Sequence, residues 1–424
     1  MFIVSRLGDV ITLYIGMFLV PDIVDQEKLG AVLPLTKLAT FIAFPLIFFQ
    51  SGALKFINVF YQRGEIAKVR RLIRDVSLLA CALSAIVILG LWFTSDWLMT
   101  RLQIDDSSVM LVIAFLVIMS FWAPLAGVAT QSLKRFKVII ASRLVAPIAR
   151  LVVMLLLLQS LQLTGVLLAQ LASIVAVFLL SVWSVSGLLR GGNSKGMQGS
   201  YRENLQEMKA YTIPVGIYAI VYATQQAAEP WFVREVLSNA ESAAFYIIAT
   251  FGQIPLWLAP AILPFLFPEI SERHERGENT FHTYLKAMFL TCLLGFGCVL
   301  FFFLFAGIIL DLREKWAIYT PYAIYIPYYA LIITLSTMIM THITYQNACR
   351  KYGYVRILAS ITMLEVIALV GMTMLNASGI ADVSLNIALA SMLIIRVMSV
   401  GYLMFDAHQT RPRNQQNATS ALVP

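Results

Sequence analysis

Charged side chains lie inside several long apolar stretches of this sequence, and they are its best candidates for chemistry. An ionisable group inside a bilayer costs about 2.5–3.5 kcal/mol on insertion scales, so such residues usually line a cavity or pair with one another. The cations are Arg6, Lys37, Arg150 and Arg396, and the carboxylates are Asp9, Glu229 and Glu365. Cations dominate the first half of the chain, which favours an anionic ligand.

Arg143 and Arg150 stand two helical turns apart and therefore project from the same face of one helix. Together with Lys37 they could line a cationic cavity, in which the guanidinium fork matches the oxygens of a diphosphate. Alternatively, Arg143 is a charge at the cytoplasmic end of its helix that only sets orientation. The full set of candidate residues for binding a diphosphate and sugars is Lys37, Arg150, Arg6, Arg143, Lys55 and Gln131.

The carboxylates are candidates for coupling to an ion, and each also has a structural alternative. Asp9 lies three residues after Arg6, so it can neutralise that arginine on one helix face. Glu229 stands near the end of its apolar stretch. It is either a carboxylate that is solvated at the membrane interface or a site of ion coupling. Glu365 and Arg396 either form a structural ion pair or take part in coupling. The candidate ion-coupling residues are Asp9, Glu229, Glu365 and Arg396.

The elements that must hold these residues are membrane-spanning helices. The chain has 424 residues, of which 59% are hydrophobic and 13% are charged, whereas soluble domains are about 25% charged. A water-soluble fold is excluded, because surface-to-volume scaling limits the apolar surface that a core can bury. A spanning helix needs about 20 apolar residues, so we predict an all-α polytopic membrane protein with about twelve spans. The predicted spans are 2–20, 30–50, 75–98, 109–131, 138–158, 164–189, 210–230, 243–267, 281–309, 318–344, 354–375 and 383–405.

The basic residues predict how these spans are oriented. The net charge is +8, and most of the 31 lysines and arginines fall in every second loop. By the positive-inside rule, this pattern predicts that both termini are cytoplasmic. The same distribution favours contact with membrane lipids over nucleic acid. The four cysteines have no paired spacing, so we expect neither a disulfide framework nor a metal site, and no cofactor.

The two halves of the chain repeat each other weakly. Arg63-Gly64-Glu65 follows the second predicted span, and Arg276-Gly277-Glu278 follows the eighth. Basic loops also precede similar sequences at the fifth and eleventh spans. We therefore predict a tandem duplication, with six-helix lobes at 1–190 and 209–406 joined by a cytoplasmic loop at 191–208. Equal orientation of the halves places the pseudo-two-fold axis along the membrane normal, with a substrate site between the lobes. Residues 407–424 are predicted to be a disordered tail that ends in a possible tag scar.

Several motifs resemble those of a known transporter family. They are Leu29-Gly30, Gly52–Phe56 ahead of Arg63–Glu65, Gln131–Phe136, and Leu263–Ser271 at the end of the eighth span. In these the chain resembles the Wzx-type polysaccharide flippases of the multidrug/oligosaccharidyl-lipid/polysaccharide exporter superfamily. The resemblance implies flipping of undecaprenyl-diphosphate-linked oligosaccharides to the outer leaflet by alternating access, for O-antigen or other surface polysaccharide biosynthesis. It also implies a bacterial inner-membrane protein that acts as a monomer, with H⁺ or Na⁺ as a candidate coupling ion.

Two other classes of protein, a membrane enzyme and a multidrug antiporter, fit the sequence less well. The sequence has no G-x-x-x-x-G-K-[ST] phosphate loop, so it does not indicate ATP hydrolysis. A membrane glycosyltransferase or polymerase would need a sizeable extramembrane domain, and the outer loops here are short, so we expect no enzyme. An ion-coupled multidrug antiporter of the same superfamily would concentrate acidic residues in its cavity. The cations of the first half argue against that alternative without excluding it.

Overall fold

The structure is a computed structural model, and it describes residues 2–43, 53, 56–104, 106–189, 199–258, 263–349, 351–380 and 382–409. These residues form helices and short connections, and no strand occurs among them. The predicted all-α membrane fold is therefore confirmed.

The helices of the first half follow the predicted apolar spans closely. Helix α1 (Phe2–Tyr14) continues through a π-helical segment (Ile15–Leu19) into α2 (Val20–Ile23). It is followed by α3 (Gln26–Ile42), α4 (Ile66–Leu102), α5 (Ser108–Ser132) and α6 (Phe136–Leu189). Helix α6 contains two predicted spans, because Gln162 interrupts it with non-helical angles of φ 43° and ψ −113°.

The helices of the second half are less regular. They are α7 (Gly199–Val236), α8 (Asn239–Gly252), α9 (Ile254–Leu258), α10 (Leu263–Glu275), α11 (Phe281–Asp311), α12 (Glu314–Ala317), a 3₁₀ turn (Thr320–Tyr322), α13 (Tyr325–Ala348), α14 (Tyr354–Ala377) and α15 (Leu385–Gln409). Within the described ranges, eight segments are long and apolar enough to cross a membrane by themselves. Each remaining predicted span overlaps one or more of the other helices.

Three predicted boundaries differ from the structure. The eighth predicted span is interrupted between α8, which ends at Gly252, and α9, which begins at Ile254 and contains Pro255; α10 begins at Leu263, and 259–262 lie outside the described residues. Proline removes a helix hydrogen bond. The predicted inter-lobe loop 191–208 overlaps α7, which begins at Gly199. Helix α15 reaches Gln409, so the predicted tail begins inside a helix. The rest of that tail, 410–424, lies outside the described residues.

The sequence repeat has a matching local structure at its first site. Gly64 and Gly277 have φ of +73° and +75°, a left-handed conformation that glycine adopts without steric cost. The N–H of Glu65 donates to the Phe60 carbonyl at 2.9 Å, and the N–H of Glu278 donates to the Arg273 carbonyl at 2.9 Å. The helical segment 56–62 and helix α10 therefore end at their Arg-Gly-Glu sequences with the same Schellman-type hydrogen bond.

A second pair of loops repeats this hydrogen bond. The N–H of Arg135 donates to the Thr130 carbonyl at 3.1 Å, and the N–H of Lys351 donates to the Gln346 carbonyl at 2.9 Å. These loops follow α5 and α13, which are the fourth and tenth predicted spans. Equivalent helix ends at equivalent places support the predicted duplication.

Contacts group the described residues into two compact units. One unit contains the described residues up to 246 and 373–378, and the other contains the described residues of 247–372 and 379–409. Helix α7 packs against α3 and α4, so it lies in the first unit, although the duplication predicts it as the first helix of the second lobe. In the second unit α13 is central, because 78% of the residues in its most apolar segment are buried, whereas 22% are buried in the corresponding segment of α11.

The outer faces of the long helices carry large apolar side chains. Trp92 and Phe93 on α4 are 79% and 82% exposed, and Phe303 on α11 is 73% exposed. Such extensive apolar exposure would aggregate in water but suits the hydrocarbon of a bilayer. The polar residues that could form a site therefore lie on the faces that the helices bury against one another.

Candidate functional site

A cavity of about 490 Å³ with both apolar and polar lining residues lies in the first unit between α1, α5 and α6. Three sequence-predicted residues line it together, namely Asp9, Gln131 and Arg143. The other polar residues of its wall are Thr12, Thr130, Ser142 and Ser181. One guanidinium, one carboxylate, an amide and several hydroxyls form a wall that can bind a hydroxyl-rich group from several sides.

A close approach of α1 and α6 forms one edge of this cavity. Pro147 in α6 has no N–H to donate to the carbonyl of Arg143, one helical turn earlier. Helix α1 passes that carbonyl at Gly8, where an added Cβ would stand only 2.1 Å from the Arg143 oxygen. The two helices therefore touch through their backbones at this point. Asp9 follows directly, and its side chain reaches the cavity wall beside Arg143.

Paired hydroxyls join α5 and α6 at Thr130, which lines the cavity. Thr130 Oγ1 in α5 and Ser184 Oγ in α6 are 3.2 Å apart. Both residues are buried, and each hydroxyl also donates to a carbonyl of its own helix. Buried polar groups that are satisfied in this way fix the relative positions of two helices. Gln131 is exposed beside Thr130, so its amide stays accessible to a ligand.

Lys37 lies outside the cavity wall and contacts α7. It is partly buried, and its Nζ donates to Gln226 Oε1 at 2.9 Å. Glu229, one turn further along α7, interacts with Lys37 electrostatically. Glu229 is only 4% exposed, so in the structure it is a buried carboxylate and not a solvated interfacial one. The cation of α3 thus faces a neutral amide and a nearby buried carboxylate.

Arg150 is the cation with unused hydrogen-bonding capacity. Its Nε is buried and has no hydrogen-bond partner among the described residues. The nearby Tyr246 interacts with it electrostatically, and the Tyr246 hydroxyl is engaged in donating to the Gly16 carbonyl at 3.1 Å. Leaving a buried donor unsatisfied costs about 1–3 kcal/mol. An acceptor that reached this guanidinium would remove that cost.

The predicted cation stripe is therefore divided in the structure. Arg143 faces the cavity, whereas Lys37 and Arg150 do not belong to the cavity wall. The side chain of Arg6 and all of Lys55 lie outside the described residues. The division arises because Lys37 is directed at α7, a contact that helix periodicity within a single segment does not reveal.

In the second unit, Glu365 of α14 and Arg396 of α15 form a buried ion pair. Arg396 Nη1 lies 3.2 and 3.1 Å from the two carboxylate oxygens, and Arg396 Nε donates to Ser336 Oγ at 3.1 Å. The two side chains are 0% and 3% exposed. The sequence left open whether these residues pair or take part in coupling. The structure shows the pair, and a pair can still serve in coupling.

Some polar partners were missed by the sequence reasoning. Gln226 was not singled out, although an amide within an apolar span is a recognisable signal for interhelical hydrogen bonding. In the second unit, His342 Nδ1 lies 3.0 Å from the Tyr284 hydroxyl, and its Nε2 lies 3.2 Å from Gln346 Nε2. His342 is buried in this cluster. We assign the cluster a packing role.

Comparison with known proteins gives a clear result for the fold. No protein-family model and no curated protein matches the sequence. An inward-facing multidrug resistance MATE transporter of the MOP superfamily aligns over 96% of this chain and 94% of its own, with a TM-score of 0.67 and 12% identity. The chain has the fold of the MOP superfamily transporters. The lipid II flippase MurJ, in an inward closed conformation, shares this fold over 96% of this chain and 87% of its own, with a TM-score of 0.64 and 14% identity.

A third solved structure differs in its binding site. It is a MOP superfamily transporter from Pyrococcus furiosus, described as having a binding pocket of reverse polarity, with a TM-score of 0.54 and 12% identity over 96% of this chain and 93% of its own. The fold thus accommodates drug transporters, a lipid flippase and a protein of different pocket polarity. Fold alone does not select among them, so the choice depends on the residues of this chain.

Proposed function

We propose that this protein is a membrane transporter that flips undecaprenyl-diphosphate-linked oligosaccharides from the cytoplasmic to the outer leaflet by alternating access. The observation that carries the proposal is the buried Nε atom of Arg150, which has no hydrogen-bond partner among the described residues. A diphosphate offers strong acceptors to such a group, because bonds between charged partners are the strongest hydrogen bonds available. The lipid II flippase MurJ, which shares the fold, supports a lipid-linked cargo.

Lys37 and Arg143 supply two further cations for the same cargo. A diphosphate loses its hydration on entering a bilayer, and this loss is prohibitive unless protein donors replace the water. Lys37 donates to a neutral amide, which a phosphate oxygen can displace. The nearby carboxylate of Glu229 offsets part of the resulting gain in charge pairing. Arg143 is exposed at the cavity, where it meets an anion at entry.

The cavity between α1, α5 and α6 suits the sugars of the cargo. Its volume of about 490 Å³ lies within the roughly 300–1,000 Å³ of typical small-molecule sites. Its hydroxyls and the Gln131 amide can donate to and accept from sugar hydroxyls. Its guanidinium and carboxylate balance each other in formal charge, so this cavity does not select a strongly charged ligand. We therefore assign the sugars to the cavity and the diphosphate to Lys37 and Arg150.

The proposal also covers the cellular location of the protein and its coupling to an ion gradient. The protein acts as a monomer in the bacterial inner membrane, with both termini in the cytoplasm, in the biosynthesis of O-antigen or another surface polysaccharide. Coupling to H⁺ or Na⁺ would use the carboxylates Asp9, Glu229 and Glu365, with Arg396 as the partner of Glu365. One charge moving through 100 mV supplies about 2.3 kcal/mol, enough to bias transport in one direction.

An ion-coupled multidrug antiporter is the second candidate. Two observations favour it, namely the carboxylate of Asp9 in the cavity wall and the burial of Glu229. A cationic drug would bind to these carboxylates and would be repelled by Lys37 and Arg150. The two candidates therefore predict opposite responses to removal of the cations.

Reconstituted protein provides the test. Proteoliposomes containing wild-type protein should flip a fluorescent undecaprenyl-diphosphate oligosaccharide. The variant Lys37→Ala with Arg150→Ala should be slower by about a hundredfold or more, because two charged hydrogen bonds of about 1.5–3 kcal/mol each are lost and about 1.4 kcal/mol corresponds to a tenfold change in rate. Arg273→Gln is the matched control, since it removes a half-exposed cation, and it should transport normally. Unchanged transport by the double variant would refute the site, and export of cationic dyes without lipid transport would favour the antiporter.

A further inference from the structure

Two segments of the first unit present accessible cations. One is the start of α4, where the side chains of Arg71 and Arg74 are 46% and 68% exposed. The other is the loop between α5 and α6, where Lys134, Arg135 and Lys137 are all exposed. The charge pattern of the chain predicts that both segments lie on the cytoplasmic side of the membrane.

Apolar packing holds these two segments together. Ile73 of α4 packs against a buried cluster that contains Ala129 and Leu133 at the end of α5. Arg74 directly follows Ile73, and Lys134 directly follows Leu133, so the cations of both segments lie around one contact. The cations that we call the basic surface are Arg71, Arg74, Lys134, Arg135 and Lys137.

The backbone of Lys134 is held in an unfavourable conformation within this surface. Its φ is +55°, in the left-handed region that glycine adopts without steric cost and that a residue with a Cβ avoids. The N–H of Arg135 donates to the Thr130 carbonyl at 3.1 Å, so this conformation closes the end of α5. A lysine at a position that suits glycine is consistent with a use for its charge.

The second repeat does not accumulate positive charge in the same way. Its Arg-Gly-Glu sequence stands 213 residues after the first, so 269–288 corresponds to 56–75. The earlier segment has five cations and two carboxylates, a net charge of +3, whereas the later one has three cations and four carboxylates, a net charge of −1. The other pair of repeated loops differs less, with three cations at 131–137 and two at 349–355.

Ion pairs occupy the arginines of the second segment. Arg273 Nε lies 3.8 Å from Glu269 and 3.6 Å from Glu278, and Arg276 pairs with Glu272 and Glu278. These carboxylates leave little positive potential for an external anion. A requirement for orientation alone would not distinguish the two repeats, so the excess charge of the first unit has another physical consequence.

An apolar stripe continues from the basic surface along α4. Leu78 and Trp92 follow Arg71 at seven and 21 residues, so all three project from about the same face of the helix. Leu78 is 61% exposed and Trp92 is 79% exposed, and Phe136 is 56% exposed among the loop cations. A soluble anion would gain nothing from these apolar side chains. A phospholipid would place its phosphate at the cations and an acyl chain along the stripe.

We propose that the basic surface binds the headgroups of anionic phospholipids in the leaflet predicted to be cytoplasmic, with an acyl chain lying along α4. Lysines and arginines near an anionic leaflet are attracted to it, and their long stems let the charged ends reach the phosphates. An arginine guanidinium can donate two parallel hydrogen bonds to one phosphate. The inference is independent of the proposed function, since it concerns resident lipids and no transported cargo.

Photo-cross-linking of the wild-type protein tests the position of the site. The full chain is placed in phosphatidylcholine nanodiscs that contain a small fraction of phosphatidylglycerol with a photoreactive group near its headgroup. After illumination, labelled peptides are identified by mass spectrometry. We expect labels to concentrate in 71–78 and 134–137, with few in 269–288. Equal labelling of the two repeats, or labelling of the second alone, would overturn the proposal.

Charge-removing variants test the role of the cations. Arg74→Gln with Lys134→Gln and Lys137→Gln should weaken phosphatidylglycerol binding, measured by native mass spectrometry in detergent, by about tenfold or more. The matched control is Arg273→Gln with Arg276→Gln and Lys286→Gln, which removes the same charge from the second unit and should bind as wild type does. Thermal unfolding checks that both variants are folded. Equal weakening by both would show that net charge alone matters and would overturn the site. If the first variant does not fold, the wild-type labelling decides.

Two competitors identify the ligand. Glycerol phosphate carries the phosphate without acyl chains, so at the same concentration it should not displace phosphatidylglycerol. Phosphatidylcholine has acyl chains but no net charge, and it too should compete poorly. Displacement by glycerol phosphate would assign the surface to soluble anions, and equal competition by phosphatidylcholine would remove the role of charge. Either result would overturn the proposal.

Discussion

Removing Arg396 should destabilise the second unit strongly, because Glu365 would keep a buried charge without its partner. In Arg396→Met, two hydrogen bonds to the carboxylate, at 3.1 and 3.2 Å, and one to Ser336 are lost. Removing one member of a buried pair costs about 3–5 kcal/mol. The upper part of this range applies here, since the pair is 0% and 3% exposed and water cannot replace the lost bonds.

Removing both charges should be far less harmful. In Glu365→Leu with Arg396→Met, apolar side chains of similar length fill the space, and such replacements are often neutral or stabilising. A double-mutant cycle should therefore give a coupling energy on the order of 3 kcal/mol. Arg273→Gln is the control, because the ion pairs of Arg273 with Glu269 and Glu278 are long, at 3.8 and 3.6 Å, and half-exposed, and glutamine can still donate a hydrogen bond to Thr283. It should change stability by less than about 1 kcal/mol.

Thermal unfolding and denaturant titration in detergent measure these stabilities, and transport by the same variants measures function. A double variant as unstable as Arg396→Met would refute the reasoning, because the loss would then come from packing and not from an unpaired charge. If the double variant is stable and transports, the pair is structural. If it is stable and inactive, the pair takes part in coupling. The experiment thus separates the two alternatives that the sequence left open.

Two further predictions concern the first unit. Gly8→Ala should destabilise the protein by about 1–3 kcal/mol, because the new methyl group would meet the Arg143 backbone oxygen. The control is Gly90→Ala on α4, where an added Cβ would have no atom within 4 Å. This variant should be neutral or stabilising by up to about 1 kcal/mol. Equal thermal shifts of the two variants in detergent would contradict the close approach of α1 and α6 at Gly8. Hydrogen bonding from Ser108 holds the pKa of Asp106 below its ordinary value of 3.8. The charged carboxylate therefore stabilises the folded protein at pH values above 3.8, and this stabilisation is lost as the pH falls through the lowered pKa of the folded state. Thermal unfolding from pH 7 to 3 should show Asp106→Asn less stable than wild type at pH 7, with the difference shrinking as the pH falls below about 4; a constant difference would exclude this carboxylate as the cause.

Local signals predicted much of the fold. Apolar length placed the spans, because a bilayer demands about 20 apolar residues from each spanning helix. The Arg-Gly-Glu sequences marked two helix ends that share the same hydrogen bond, because glycine adopts the left-handed conformation that closes such an end without steric cost. The eighth predicted span is interrupted between α8 and α9, because apolar length does not register where proline removes a helix hydrogen bond.

The sequence by itself determined which charges lie within the membrane, because their cost in hydrocarbon marks them wherever they occur. It did not determine their partners. Only the tertiary structure showed that Lys37 binds Gln226, that Arg150 keeps a buried donor unused and that Glu365 pairs with Arg396. These partners stand far apart in the chain, and helix packing alone brings them within the few ångströms over which hydrogen bonds and ion pairs act.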